Sequence, residues 1–143
     1  MEFELIEDIT MADVAFRITG EDLHGLFSSG ARALLSVLIE NPENIMLVEE
    51  RKAVFDNTEI DLLLFDFLQE IIFFKDSESL ILLPVSMAFS IERNRHVVEC
   101  TFSGERIDPG KHALNLDVKA VTMHNHSATK TGSGWSATFV LDV

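Results

Sequence analysis

Two stretches with helical spacing, set among short segments of strand-like pattern, most constrain how this 143-residue chain can fold. In residues 23–38, apolar side chains recur every three or four positions, and acidic residues stand just before them, where the helix dipole favours negative charge. A second stretch begins with Thr58 and Asp61 in a spacing that resembles a capping box and runs to about Phe74. This second stretch is apolar on more than one face, which predicts a helix buried between layers.

Between these helices, alternating and short apolar segments predict strands, bounded by turn-forming residues. The predicted strands are 3–6, 13–19, 46–55, 80–91, 96–102, 115–123 and 135–141. A tight turn is predicted at 131–134, which lacks the spacing and the trailing lysine of a phosphate-binding loop. The chain shows neither internal repeats nor a linker-like segment. We therefore predict one α+β domain over residues 1–143, with a mixed or antiparallel sheet packed against two helices.

Charge and composition limit the classes of function. The chain has 24 acidic and 11 basic residues, a formal net charge of −13, and 47% hydrophobic residues, enough for a core. Such a surface is repelled by phosphate backbones, so direct nucleic-acid binding is disfavoured. A basic protein partner or a cation is favoured instead. Solubility alone is the commoner reason for an acidic surface. The acidic N-terminus predicts no signal peptide, the apolar runs are too short to span a bilayer, and we expect a cytoplasmic protein.

The last predicted strand runs into Asp142 and Val143, so a side-chain carboxylate and a terminal carboxylate stand next to each other. A third carboxylate at the same place would create a site for a hard cation. Asp13, directly before the strand at 14–18, is the best candidate for it. A lone aspartate before a strand is more often a turn or cap residue, so the pattern alone leaves that alternative open.

These two ends, and the segments between them, resemble the archease family, whose members assist the GTP-dependent RNA ligase of tRNA splicing. The matching pieces follow the family's order over nearly the whole chain, and the tail is the most specific of them. They are residues 11–14, 61–63, 67–70, 104–105, His112, 118–124, 134–135 and 141–143. The chain departs from the family at Thr10, where a histidine is usual, and at Met123, where an aromatic residue is usual.

The resemblance implies that Asp13, Asp142 and Val143 hold a divalent cation, with calcium expected and magnesium or manganese as alternatives. It also implies an accessory protein, not an enzyme, whose partner is the RNA ligase that joins 3′-phosphate to 5′-hydroxyl ends. The accessory protein would promote guanylylation of the ligase and its repeated turnover. No nucleophile motif is evident, and Cys100 has no activating partner in the sequence, which agrees with this role.

Two other classes of function stay open at this point. A chaperone-like protein-binding module would need a surface and no metal. A metal-dependent hydrolase would need a base such as His112 or His124. His124 and His126 are two positions apart, so in a strand both imidazoles would lie on one face and could bind a transition metal, although a solvated strand is the commoner explanation.

Lys119 is the one cation in an apolar stretch. It either pairs with a sheet carboxylate, or contacts a carboxylate of the site or the partner's nucleotide.

Overall fold

The computed structural model describes residues 2–6 and 13–143, which form seven strands, two α-helices and one short 3₁₀ turn at Pro42–Asn44. Their bounds agree with most of the segments predicted from the sequence pattern. The elements are β1 (Glu2–Ile6), β2 (Asp13–Gly20), α1 (Leu23–Leu38), β3 (Glu49–Asn57), α2 (Ile60–Glu78), β4 (Leu80–Glu92), β5 (Arg95–Arg106), β6 (Ala120–Thr131) and β7 (Gly134–Asp142).

The strands divide into two sheets. The first has the order β1-β2-β7-β6 and the second the order β3-β5-β4, and every pairing is antiparallel. Helix α1 packs against β2 of the first sheet and β4 of the second, and α2 packs against β6 and β4. The helices therefore join the two sheets through one core, which confirms the predicted α+β class and shows two sheets where the sequence pattern predicted one.

Helix α1 begins and ends as the sequence predicts. The Asp22 carboxylate caps the helix by accepting a hydrogen bond of 2.7 Å from the Gly25 N–H. Its apolar stripe is almost fully buried, and Ile39 follows in an extended conformation. Capping and the buried stripe together place this helix firmly between the sheets.

Helix α2 differs from its prediction at both ends. The predicted capping box at Thr58 is wrong, because Glu59 is the N-cap residue and its side chain makes no capping hydrogen bond. Helix α2 begins at Ile60, so Thr58 lies one residue before the N-cap position. At the other end the helix continues past Phe74, because Lys75 is buried as well, and stops at Ser79, whose left-handed backbone has a φ of 55°.

Phenylalanine side chains connect the layers of the core. Phe67 of α2 lies 5.1 Å from Phe27 of α1 and 5.7 Å from Phe102 of β5, measured between ring centroids. Phe16 and Phe139 pair across β2 and β7 at 5.6 Å. Burial of each such ring contributes about 1.5–3 kcal/mol, so these contacts hold both sheets to the helices.

The strand predicted at 115–123 begins later, at Ala120, because the backbone before it pairs elsewhere. The N–H groups of Asn115 and Leu116 donate to the carbonyls of Leu38 and Val37, at 2.9 Å each, at the end of α1. Likewise, the strand predicted from Met46 begins at Glu49. The last carbonyl groups of α1 have no partner within the helix, so the segment at Asn115 and Leu116 donates hydrogen bonds to them and does not join the sheet.

The turn after β6 lies where it was predicted, whereas the pairing of β6 before the turn is irregular. Thr131 and Gly134 bound the β6–β7 turn, as predicted. Before the turn, the pairing shifts between Thr122 and Ser127, so that residues 123–126 all lie opposite the single residue Phe139. The strand therefore carries a wide bulge. None of the helices in the described part of the chain is long and apolar enough to cross a membrane.

Candidate functional site

The two aspartates predicted to bind a cation lie opposite each other. Asp13 is the first residue of β2 and Asp142 the last of β7, and the antiparallel register pairs them directly. Directly opposed residues place their side chains on the same face of a sheet, only about 4.5–5.5 Å apart at Cβ. The fold thus brings together two carboxylates that are 129 positions apart in the chain (142 − 13).

Nothing in the described part of the chain neutralises this pair. Among residues 2–6 and 13–143, no lysine, arginine or histidine forms an ion pair with Asp13 or Asp142. Like charges directly opposite each other in a sheet are destabilising. A pair held in this way is suited to a cation from outside the chain, and oxygen ligands favour a hard one.

Asp142 is held on both sides. Strand β7 lies between β2 and β6, and Asp142 is paired with Ala120 as well as with Asp13. The Lys119 N–H also donates a hydrogen bond of 2.8 Å to the Asp142 carbonyl. The side chain of Asp142 therefore projects from backbone that is fixed at the centre of the sheet.

A third ligand is not supplied by a further acidic or histidine side chain, since the described residues contain no group of three or more His, Cys, Asp or Glu able to hold a metal. Val143 follows Asp142 directly and is half-buried. The family positions Thr10, Met11 and Ala12 lie outside the described residues. The ligand set Asp13, Asp142 and Val143 therefore stays a prediction.

Lys119 is exposed and forms no ion pair with any described residue. The salt bridge to a sheet carboxylate, which was the simpler expectation, is not formed there. The backbone hydrogen bond to Asp142 places Lys119 at the edge of the aspartate pair. Its exposed side chain is accessible to a partner at this edge.

Lys75, which the sequence analysis did not single out, holds the segment before Lys119 in place. Its ammonium donates to Asp117 and Asp76, at 2.7 Å each, and to the Val118 carbonyl at 3.1 Å. Burial lowers the pKa of Lys75, but the hydrogen bonds to the two carboxylates outweigh burial, so the pKa is raised above its usual value. The signal in the sequence was a single lysine on the buried side of an otherwise apolar helix.

His112 lies in a structural cluster, not in an open site. Glu105 accepts hydrogen bonds from Lys111 at 2.7 Å and from the Met46 N–H at 2.6 Å, and the His112 Nε2 lies 3.3 Å from it. The Lys111 and Met46 hydrogen bonds lower the pKa of Glu105 to about 2. His112 is 4% exposed, and its Nδ1 accepts from the Asp108 N–H. A buried imidazole with this role is not placed to act as a hydrolytic base.

The histidines of the β6 bulge do not form a metal pair on one strand face. Asn125 between them has a left-handed backbone with a φ of 55°, which breaks the alternation. His124 is exposed, whereas the His126 Nε2 lies 2.6 Å from the Asp61 carbonyl and its ring meets Phe65 edge to face. His126 therefore ties the bulge to the start of α2, which differs from the solvated strand that was expected.

Cys100 lies in β5, belongs to the buried core and is 3% exposed. Burial raises the pKa of its thiol to about 12, so the reactive thiolate is absent at neutral pH. This agrees with the absence of an activating partner for Cys100 in the sequence.

Comparisons with known proteins agree with the resemblance. A family model described as "Archease protein family (MTH1598/TM1083)" matches residues 3–143. A Methanosarcina mazei protein named "Protein archease" is 26% identical over 133 residues, which is 92% of this chain and 90% of that protein. A Sulfurisphaera tokodaii protein of the same name is 28% identical over 142 residues, 99% of each chain.

Two solved structures share the fold. The solution structure of Methanobacterium thermoautotrophicum protein 1598 superposes with a TM-score of 0.84 at 28% identity, covering 99% of this chain and 98% of that one. A Thermotoga maritima protein described as "an archease, possible chaperone" gives a TM-score of 0.65 at 22% identity, covering 98% of both chains. The relatives are named for the family or as a possible chaperone and not for a catalysed reaction, in agreement with the predicted accessory role. Because the family model spans nearly the whole sequence, the chain belongs to the archease family.

Proposed function

We propose that this protein activates the GTP-dependent RNA ligase of tRNA splicing through a divalent cation held by Asp13, Asp142 and Val143. The observation that carries the proposal is the direct pairing of Asp13 with Asp142, without a neutralising partner among the described residues. The family resemblance supplies the partner, and the net charge of −13 favours a basic cleft over RNA itself.

The residues present fit the proposed cation. Two carboxylates on one sheet face and the carboxylate of Val143 offer only oxygen donors, which suits calcium, and magnesium or manganese as alternatives. The cation would offset the repulsion between the two aspartates. The chain's own part is to hold both carboxylates on paired strands, so that they reach the ligase without rearranging.

In this proposal, the Asp13–Asp142 end of the first sheet enters the nucleotide-binding cleft of the ligase. There it promotes transfer of GMP to the active-site histidine of the ligase and repeated turnover, while the ligase itself makes the RNA bond. Lys119, exposed at the edge of the pair, would contact the partner's nucleotide or a carboxylate of the site.

The test is GMP transfer onto the cognate ligase with native protein, Asp13→Ala, Asp142→Ala, a Val143 deletion and a short C-terminal extension. The native protein is expected to accelerate transfer, and each change at the site to reduce the acceleration by at least about tenfold, as disturbed metal sites commonly do. Glu99→Ala, which removes an exposed carboxylate on β5, is the matched control and should act as the native protein does. Equal acceleration by Asp13→Ala and Asp142→Ala would refute the proposal.

A second measurement separates cation binding from activation. Calcium at about 100 times its dissociation constant should add about 2.7 kcal/mol to the free energy of unfolding of the native protein, and almost nothing to Asp13→Ala. A chaperone-like role without metal is the alternative, favoured by the description of the Thermotoga maritima relative as a possible chaperone. Activation that persists in a chelator would support that alternative instead.

A further inference from the structure

A groove of about 370 Å³ lies beside the segment that leads into β6. Its walls are aliphatic: Leu38, Ile81 and Ile107 form the inner side, and Leu114 and Leu116 the outer side. Leu38 and Ile81 are buried, whereas Leu114 and Leu116 are 50% and 46% exposed. The groove therefore combines a fixed apolar floor with two leucines that a partner can cover.

The backbone of the outer wall is fixed. Asn115 and Leu116 donate to the end of α1, and the Lys75 ammonium holds the Val118 carbonyl at 3.1 Å. A groove of this kind needs no rearrangement to bind, which lowers the cost of association.

The rim of the groove is acidic. Asp76 and Asp117, 58% and 78% exposed, each accept one hydrogen bond from Lys75, whose side chain is only 8% exposed. The three N–H donors of the Lys75 ammonium are directed at protein atoms, namely these two carboxylates and the Val118 carbonyl. Two carboxylates against one shielded ammonium leave one excess negative charge at the rim, with carboxylate oxygens free to accept from a cation.

The groove is also continuous with the candidate cation site. Residues 114–120 line the groove at Leu114, Leu116 and Asp117, and then pair with Asp142 through Ala120. Asp117 and Ala120 are three positions apart in the chain, a span of at most about 11 Å. A protein that covers the aspartate pair is therefore close enough to occupy the groove as well.

From this geometry we propose that the groove binds an extended segment of a partner protein that carries one aliphatic or aromatic side chain followed by arginine or lysine. The apolar side chain fills the space between Leu38, Ile107 and Leu116. The cationic side chain pairs with Asp76 and Asp117, and arginine fits best because its fork can bind a carboxylate through two hydrogen bonds. Burial of the apolar side chain contributes affinity, and the acidic rim determines the direction in which the segment lies along the groove.

The experiment measures fluorescence anisotropy of a panel of short labelled peptides with a central leucine, isoleucine, phenylalanine or methionine followed by two arginines. Control peptides replace the central residue by serine, or the arginines by glutamates. At least one apolar–basic peptide should bind at least about tenfold more tightly than both of its controls. Equal binding by the serine control would mean that general attraction to the acidic chain is responsible, and that result would overturn the proposal, as would no binding by any peptide.

Variants then locate the binding. Leu116→Glu and Asp117→Asn should each weaken the best peptide by at least about fivefold. Val54→Glu and Glu99→Gln make the same chemical changes at exposed positions on the outer face of the second sheet and should leave binding unchanged. Asp13→Ala should also bind as the native protein does, since it leaves the groove intact. Unchanged binding by both groove variants would overturn the proposal, and so would self-association of the native protein that is abolished by Leu116→Glu.

Discussion

Glu105 in the second sheet and the Asp13–Asp142 pair in the first lie in opposite electrostatic environments. In the second sheet, Glu105 of β5 accepts hydrogen bonds from Lys111 and the Met46 N–H, and the His112 Nε2 lies 3.3 Å away. In the first sheet, Asp13 faces Asp142, and the described residues offer the pair no cation. A carboxylate satisfied inside the protein stabilises the fold, whereas an opposed, unneutralised pair costs stability and is available to something outside it. The contrast separates a structural carboxylate from the pair proposed to bind a cation.

The largest effect is expected next to Glu105. Gly104 lies in the central strand of the second sheet, and a Cβ at this position would overlap the Ile81 carbonyl of β4. Backbone on a neighbouring strand cannot move aside, so Gly104→Ala should destabilise by about 3 kcal/mol or more. Chemical denaturation measures this. Gly132→Ala in the β6–β7 turn, where the added methyl meets nothing, should change stability by less than about 0.5 kcal/mol, and a similar loss in both variants would contradict the argument.

A smaller effect is expected when Glu105 loses its charge. Glu105→Gln should lower the melting temperature by several degrees at neutral pH, because Lys111 and the Met46 N–H lose a charged acceptor. The folded-state pKa of about 2 lies below the ordinary value of 4.5, so the stabilisation is complete above pH 4.5 and is lost as the pH falls towards 2. The difference between native and variant proteins should therefore shrink over that range, and a constant difference would show that charge is not its cause.

The smallest effect concerns the aspartate pair and has the opposite sign. In a chelator, Asp13→Asn should be more stable than the native protein by about 0.2–1 kcal/mol, because it removes one of two opposed like charges. Asp56→Asn is the contrasting control: Asp56 forms an ion pair with Arg95, so its loss should not stabilise the protein. Urea denaturation with and without calcium measures both, and destabilisation of Asp13→Asn in the chelator would mean that the pair is satisfied internally.

Much of the fold could be predicted, because helical and strand periodicity are local properties. Helix α1 with the acidic residues before it, and the turn before Gly134, follow from their own residues. The late start of β6 could not be predicted, since the backbone at Leu116 pairs with the end of α1, far away in sequence. The bulge that carries His126 to the Asp61 carbonyl is likewise a contact between distant segments.

The candidate site was predicted only with the help of the family pattern. The residues around Asp13 predict only a turn or cap residue, and no local sequence feature distinguishes Asp13 from the other acidic residues. The groove and its rim were not predicted, because Lys75, Asp117 and Leu116 have no sequence pattern in common and meet only where α2 passes the segment before β6.

The sequence by itself determined the α+β class, the first helix, the acidic surface and the family. These depend on periodicity, composition and residue order, which act over short distances or over the chain as a whole. Only the tertiary structure decided that the strands form two sheets, that Asp13 meets Asp142, and that Lys111 neutralises Glu105 whereas no described residue neutralises the aspartate pair. Register and burial are set by packing between distant segments, so the environment of a charge is decided when the chain has folded.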